Sequence, residues 1–463
     1  MAQTPEVLLG DLLAGVGLGP DPLEAFDLSG TTGLLTSSFE VGLAAQVSVA
    51  AAAVAANEIA RLRSGERQGV TVSRAAAELE CTGYFELDGV VPKVWDDFAG
   101  IYATSDGHVR LHTNFEHHRD GALALLGLSA ERHTRDDVAA ALLEWNAQDY
   151  EDAAARAELV VSKVRTFEEW DAHPHALANA EFPPVRITRV GAAPPRPLPP
   201  ARKDERPLAG LRCLDLTRIL AGPICGRTLA AYGAEVLLVN GPHLPNIDAL
   251  VDTSRGKRSA HVDLRSASGC ADLHRLLASA DAFIQGYRPG GLAALGFGVE
   301  QLAERYPGLV LTSLSAYGPA GPWADRRGFD SLVQSATGFN RAEQAAFGSE
   351  QPKPMPVQIL DYASGFLMAF GTQIALLRRA TEGGSWHVEV SLLHTANWLR
   401  RMGRTPVARS RRPDLREHLQ SFPCTSGELR GMPHGARFDR TPAQWLQAST
   451  PPGTAAPSWG SSA

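Results

Sequence analysis

Cysteine is scarce in this 463-residue chain and dispersed where it occurs. Cys81, Cys213, Cys225, Cys270 and Cys424 form no C-x-x-C pair, which excludes a disulfide framework and a thiolate zinc site and suits a reducing cytoplasm. Positive charge is not in excess: 44 Lys and Arg against 51 Asp and Glu leave a net charge of −7, which argues against a nucleic-acid-binding surface. The opening Met-Ala-Gln-Thr-Pro-Glu-Val lacks the basic region and cleavage site of a signal peptide. The most apolar run, 41–60, is interrupted by Gln46, Ser48, Asn57 and Glu58; it falls short of a membrane span and predicts a buried helix instead. No G-x-S-x-G elbow and no H-E-x-x-H motif occurs. His112, His117, His118, His173 and His175 lack well-spaced carboxylate or cysteine partners, so surface or packed histidines are expected and no metal.

What is present is an ordinary globular composition, 44% hydrophobic and 21% charged, on a chain long enough for two or three domains. Residues 186–207, R-I-T-R-V-G-A-A-P-P-R-P-L-P-P-A-R-K-D-E-R-P, read as a semi-rigid linker between two halves. Beyond it, strand-like runs at 211–217, 235–239, 260–264, 282–286 and 309–314 alternate with helix-compatible segments. That alternation predicts βαβ units and a Rossmann-like parallel-sheet α/β domain over 208–400. A Pro/Gly/Ser-rich tail, 401–463, is expected to be loosely structured.

The first half reads differently. In an N-terminal segment, 1–80, an Ala-rich helix at about 41–63 leads through Gly65 to a short strand at 69–73. A smaller α+β domain, 81–185, is expected to hold a hairpin at 100–112 turning on Ser105-Asp106-Gly107, then helices near 119–127, 135–146 and 149–158. A weak repeat links the halves. Glu40, a helix, Gly65 and Val70-Thr71-Val72-Ser73 are matched by Asp361, a helix, Gly383 and Val388-Glu389-Val390-Ser391, the helix spacing differing by three residues.

Four places carry candidate chemistry. Segment 357–365, V-Q-I-L-D-Y-A-S-G, sets Asp361 between an apolar run and a long helix, where a carboxylate is either a plain cap or a nucleophile at the mouth of an α/β domain. Ala221-Gly222-Pro223 opens a helix after a strand, either as a phosphate-holding start or as an unliganded turn; it shows no G-x-G-x-x-G pattern for a dinucleotide. Arg255-Gly256-Lys257-Arg258 is a dense cationic cluster, fit for phosphates or a solvated loop. Gly286-Tyr287-Arg288-Pro289-Gly290 follows a strand at the ligand-binding edge of such folds, as a contact surface or as a rigid turn.

Six stretches, 212–239, 254–264, 280–297, 307–322, 327–338 and 357–365, together resemble, in order and spacing, the class III CoA-transferases, a group that also contains carnitine-CoA transferases and α-methylacyl-CoA racemases. The first begins R-C-L-D-L-T-R-I-L-A-G-P, the second is S-R-G-K-R-S-A-H-V-D-L, and the fifth is R-G-F-D-S-L-V-Q-S-A-T-G. The runs at 104–111 and 164–170 are similar to the smaller domain and return segment of that family, which there follow the nucleophile. Here they precede it, so the chain reads as circularly permuted or as a truncated copy fused to a second one.

The resemblance implies Asp361 as the nucleophile. It also implies Arg218, Leu220 and Ala221 lining coenzyme A, Arg255, Lys257, Arg258, Tyr287 and Arg288 holding it, and Tyr317 on its pantetheine or thioester side. It implies a cytoplasmic homodimer acting on acyl-CoA and a carboxylic acid, with CoA as substrate, no permanently bound cofactor, and neither nucleic acid nor membrane as partner. Racemases of the family carry Gly-His-Asp where this chain has Gly328-Phe329-Asp330, and phenylalanine cannot move a proton. CoA transfer through an aspartyl anhydride and thioester is therefore expected ahead of an acyl-CoA racemase or epimerase. The absent G-G-G lid and Ala294, where the family often has arginine, leave a degenerate, non-catalytic CoA-binding paralogue as the third reading.

Overall fold

The computed structural model describes residues 3–30, 33–407 and 413–460. Its centre is a seven-stranded sheet of β1 (Arg186–Gly191), β2 (Arg212–Leu216), β3 (Glu235–Asn240), β4 (Lys257–His261), β5 (Ala282–Gln285), β6 (Val310–Ser315) and β7 (Ser385–Ser391). The order is β4-β3-β2-β5-β6-β7-β1, with all neighbours parallel except β7 and β1. Alternate strand residues feed two apolar layers, as the pleat requires. Cys213, Ile284, Val310 and Val388 join the core of the long helices, whereas Leu214, Phe283 and Leu311 join a second core on the opposite face. This is the Rossmann-like α/β domain expected from the alternating runs. The run expected at 260–264 pairs earlier, as Lys257–His261.

The linker expected at 186–207 begins as a strand. R-I-T-R-V-G contains no proline and pairs antiparallel with β7, at an edge where a half-exposed strand needs little apolar content. The tail is also structured. Leu429–Gly431 pairs with Phe85–Leu87 and with Gln420–Phe422, and Arg437–Phe438 pairs with Val70–Thr71. Its Leu429, Met432, Phe438 and Trp445 are buried. A few apolar anchors, spaced among Pro, Gly and Arg, suffice because neighbouring chain supplies the ladder partners.

The smaller α+β unit has its hairpin at Gly100–Ala103 and His108–Leu111, joined by Val161–Lys163. Helices Glu116–Leu125, Arg135–Leu142 and Ala147–Arg156 close a separate core around Tyr102, Val109, Leu142 and Tyr150.

The internal repeat is real in structure but shifted from the expected pairing. Helix α1 (Val41–Ser64) precedes a strand and α2 (Arg74–Cys81), and a helix over Ile359–Glu382 precedes β7 and a helix over Leu392–Arg401. Both long helices have 24 residues, and Ser73 and Ser391 each cap the helix that follows. One offset of 318 residues relates Val41 to Ile359, Gly65 to Gly383 and Ser73 to Ser391. Glu40 therefore corresponds to Gln358, and the counterpart of Asp361 is Leu43. The first copy carries no acid at that position.

Both long helices are apolar enough to cross a membrane by length and composition, contrary to the expectation for 41–60, and 94% of each apolar window is buried inside the fold. They pack on each other. The polar residues of α1 are served locally: the Gln46 amide donates to the Leu28 and Val72 carbonyls, and Asn57 exchanges two hydrogen bonds with the Gln68 backbone.

Candidate active site

The strand order reverses between β2 and β5, so the loops leaving them part and open a crevice at their carboxyl ends. A cavity of about 570 Å³ fills it. After β2 the chain turns through Ile219, whose φ of 76° is a strained conformation for a β-branched residue. That turn starts α3 (Ala221–Ala231) at the cavity floor and sets Arg218, Leu220 and Ala221 along its wall. Tyr287 and Arg288 line it from the loop after β5, and Arg326, Arg327 and Phe329 from the loop before α6 (Asp330–Ala336). Taking α4 and α5 as Ala267–Leu277 and Val299–Arg305, the long helix Ile359–Glu382 is α7 and Leu392–Arg401 is α8.

Asp361 is the third residue of α7 and reaches the cavity with 9% of its surface exposed. Close helix packing puts it there: a Cβ on Gly365, one turn on, would lie 2.5 Å from the Ala221 carbonyl. Behind it lies Asp330, fully buried, whose Oδ2 accepts the Asp361 backbone N–H at 3.0 Å. Asp330 Oδ1 accepts from the Gln334 amide, and the Leu360 N–H adds to its support.

Burial raises the Asp361 carboxyl well above the usual range, and the neighbouring Asp330 charge raises it further; the Ala221 N–H opposes both. Burial also pushes Asp330 up, to about 6. A helix terminus alone would favour the anion, but burial here works against it. The first-turn amide of Asp361 goes to Asp330, and desolvation outweighs the one amide that supports its own carboxylate. Burial and like charge together favour a proton shared on this pair, and neighbouring positive charge or donors would oppose it.

Of the residues expected at the site, Arg218, Leu220, Ala221, Tyr287, Arg288 and Asp361 share the cavity. Arg218 lies 5.5 Å over the Phe115 ring and donates to the Pro245 carbonyl. Tyr287 donates its backbone N–H to Gln285, and Arg288 meets Glu158 at the rim.

The cationic cluster is elsewhere. Arg255 is buried against Asp252, donates to the Met432 carbonyl and lies between Trp445 and Phe422, at 4.0 and 4.3 Å. Lys257 is buried on Asp215 at 2.8 Å and on the Pro223 carbonyl. Arg258 pairs with Glu235 and donates to the Ser458 carbonyl. A buried cation needs a carboxylate and acceptors, and here the core and tail provide them in place of phosphate. Tyr317 is also away from the cavity: its ring is 1% exposed against Trp323.

The structure adds residues to which the sequence reading gave no role at the site. Phe115, His117 and His118 of the smaller unit enter the cavity from the opposite side, and His112 stacks on Phe329 at 4.0 Å. Burial, then the nearby His117, lowers His118 to about 4, so its imidazole is neutral; its buried Nδ1 has no hydrogen-bond partner. The adjacent pair His117-His118 was the available signal, and the sequence reading expected surface or packed histidines there. No group of three or more metal-ligating side chains occurs among the described residues.

The fold and crevice define a Rossmann-like α/β protein whose ligand cavity ends on a buried carboxylate pair. Residues 208–417 match the family model described as CoA-transferase family III. An acetyl-coenzyme A transferase of Hypoxylon pulicicidum is 30% identical over 320 residues, 65% of this chain and 54% of that protein. A succinate–glutarate CoA-transferase of Agrobacterium fabrum is 34% identical over 42% of this chain and 52% of that protein. A crystal structure of a CAIB/BAIF family protein from Brucella suis shares 27% identity over 48% of this chain and 65% of that one, with a TM-score of 0.38. Over 208–417 the chain is thus similar to CoA-transferase family III. It spans about half the length of the curated relatives it matches.

Proposed function

We propose that the chain transfers coenzyme A from an acyl-CoA to a carboxylic acid at Asp361. The observation that carries this reading is the placement of one carboxylate at the inner end of the switch-point crevice, with the α3 N-terminal amide of Ala221 against it. The Asp361 carboxylate attacks the thioester carbonyl, the C–S bond breaks, and an aspartyl–acyl anhydride and CoA thiolate form. The thiolate then attacks the aspartyl carbonyl, giving an aspartyl-CoA thioester and the free donor acid. The acceptor carboxylate attacks that thioester to form a second anhydride, and the thiolate takes the acceptor acyl group, restoring Asp361. Arg218 and Arg288 at the cavity wall and rim face the anionic parts of CoA, and Tyr287 offers a ring to pack on.

Incubation with acyl-CoA followed by hydroxylamine or borohydride tests this. Wild type should be modified at Asp361 and Asp361→Ala should not; equal modification of both proteins refutes the nucleophile.

A second reading is favoured by one observation. Phe329 removes the histidine expected of a racemase, yet the neutral His118 lines the same cavity as Asp361. An acyl-CoA epimerase using His118 would exchange the α-proton. Deuterium wash-in at Cα of a 2-methylacyl-CoA that disappears in His118→Ala would establish it, and no wash-in in wild type removes it.

A further inference from the structure

The second face of the sheet carries a polar array that the crevice chemistry does not use. On β7, Trp386, Val388 and Val390 alternate into the core under α7, so His387 and Glu389 point to the other side. In a sheet covered on both faces that side is ordinarily apolar. It is apolar over β2, β3 and β5, where Leu214, Leu237 and Phe283 meet α4. Between β6 and β7, however, the chain passes through α6 and α7 on the first face, and only the short α5 covers the second. A cavity of about 470 Å³ remains there, with Phe283, Leu311 and Phe297 in its wall.

One pleat row crosses this cavity. Strand register sets Gln285 beside Ser313, Ser313 beside Glu389, and Glu389 beside Arg186. His387, two residues before Glu389, lies on the same face. Its Nε2 is 3.0 Å from Ser313 Oγ, and its Nδ1 is 3.8 Å from Glu389 Oε2, a carboxylate that Arg186 holds from the far side. Gln285 Oε1 is fixed by the Tyr287 N–H at 2.9 Å, which leaves its NH₂ as the free end of the amide, one strand from Ser313. A hydroxyl bonded to an imidazole, the imidazole oriented toward a carboxylate, and a neighbouring amide donor are the parts of a serine acyl-transfer site.

We propose that this cavity is a second site, distinct from Asp361, at which Ser313 cleaves activated carboxylic esters. The Ser313 hydroxyl attacks the ester carbonyl carbon and its proton passes to His387 Nε2. The Gln285 NH₂ faces the developing oxyanion, and the Glu389 charge, 3.8 Å from His387 Nδ1, favours the imidazolium that forms. The C–O bond breaks, the leaving alkoxide takes the proton from His387, and an acyl-serine remains. Water, deprotonated by His387, attacks the acyl-serine, releases the acid and restores the serine. Burial lowers the His387 pKa, which leaves the ring neutral and able to accept this proton at neutral pH. The apolar wall fits a short acyl chain.

The full chain treated with a fluorophosphonate probe tests this, with peptide mapping of the label, alongside turnover of p-nitrophenyl butyrate. Labelling is expected on Ser313, with an acid limb below that of free imidazole. Ser313→Ala should abolish it, and His387→Ala should slow it by about a hundredfold, the scale of a lost general base. His387→Ala serves as the second variant, since it keeps the serine; a thermal melt establishes that each variant is folded. No label on Ser313 in folded wild type, or ester turnover unchanged in folded Ser313→Ala, overturns the proposal. Either result leaves trapping at Asp361 untouched, because the two sites are read by different reagents.

Discussion

Replacing Asp330 with asparagine is expected to move the acid limb of CoA transfer to lower pH. The nucleophile reacts as the anion, and its proton is held by burial and by the charge on Asp330, whose Oδ2 sits 3.0 Å from the Asp361 amide nitrogen. After burial, the Asp330 charge is the next largest cause that raises the Asp361 carboxyl, and two like charges close together in a desolvated site disfavour the second ionisation. Asparagine removes that repulsion but not the burial, so the limb should fall by about one to two pH units. The substitution also removes one of the two acceptor oxygens that Gln334, Leu360 and Asp361 share, at a cost of about 1–3 kcal/mol.

Stability should change with pH in a matching way. Asp330 has a folded-state value near 6, above the ordinary 3.8, so its contribution is full below the unfolded value and is lost as pH rises through about 6. Asp330→Asn should flatten that loss. The assay is kcat/KM across the acid and neutral range, with melts at each pH. An acid limb that stays in place or rises in a folded variant refutes the coupling.

Three further outcomes follow from the packing. Lys257→Met should destabilise the protein by about 3–5 kcal/mol in urea unfolding, because Asp215 is left as an uncompensated buried charge, and adding Asp215→Asn should recover part of it. Trp445→Ala should cost about 3–5 kcal/mol and open the tail to limited proteolysis, since the ring is 4% exposed, lies over Arg255 and donates to the Arg227 carbonyl. Gly365→Ala should cost about 1–3 kcal/mol through contact with the Ala221 carbonyl, with a fall in CoA transfer larger than the fraction unfolded explains, because α3 and α7 part at the nucleophile.

Much of the α/β domain is legible in the chain because each strand is a short apolar run and each helix has its own period. Asp361 and its loop neighbours at 218–221 and 287–288 are legible because they sit at strand ends, where local sequence reports position. The cluster 255–258 is not. Arg255 reads as a cation open to a phosphate or to solvent until Trp445, almost two hundred residues on, is found lying over it. The tail misleads for the same reason: its apolar anchors are too few to show a period, and its strands take their ladder partners from residues 70–71 and 85–87. The repeat was visible as a pattern, but only the equal helix lengths place Leu43 and not Glu40 opposite Asp361.

The amino-acid sequence by itself determined most strands and helices of the α/β domain and that one acid stands at the start of the last long helix, since hydrophobic period and chain-breaking residues act over a few neighbours. Tertiary structure decided which charges are free. It sealed Arg255 and Lys257 against Asp252 and Asp215, brought His118 across from the smaller unit, and set Asp330 behind Asp361. Those outcomes depend on desolvation, and a carboxylate is desolvated only by what the rest of the chain packs around it.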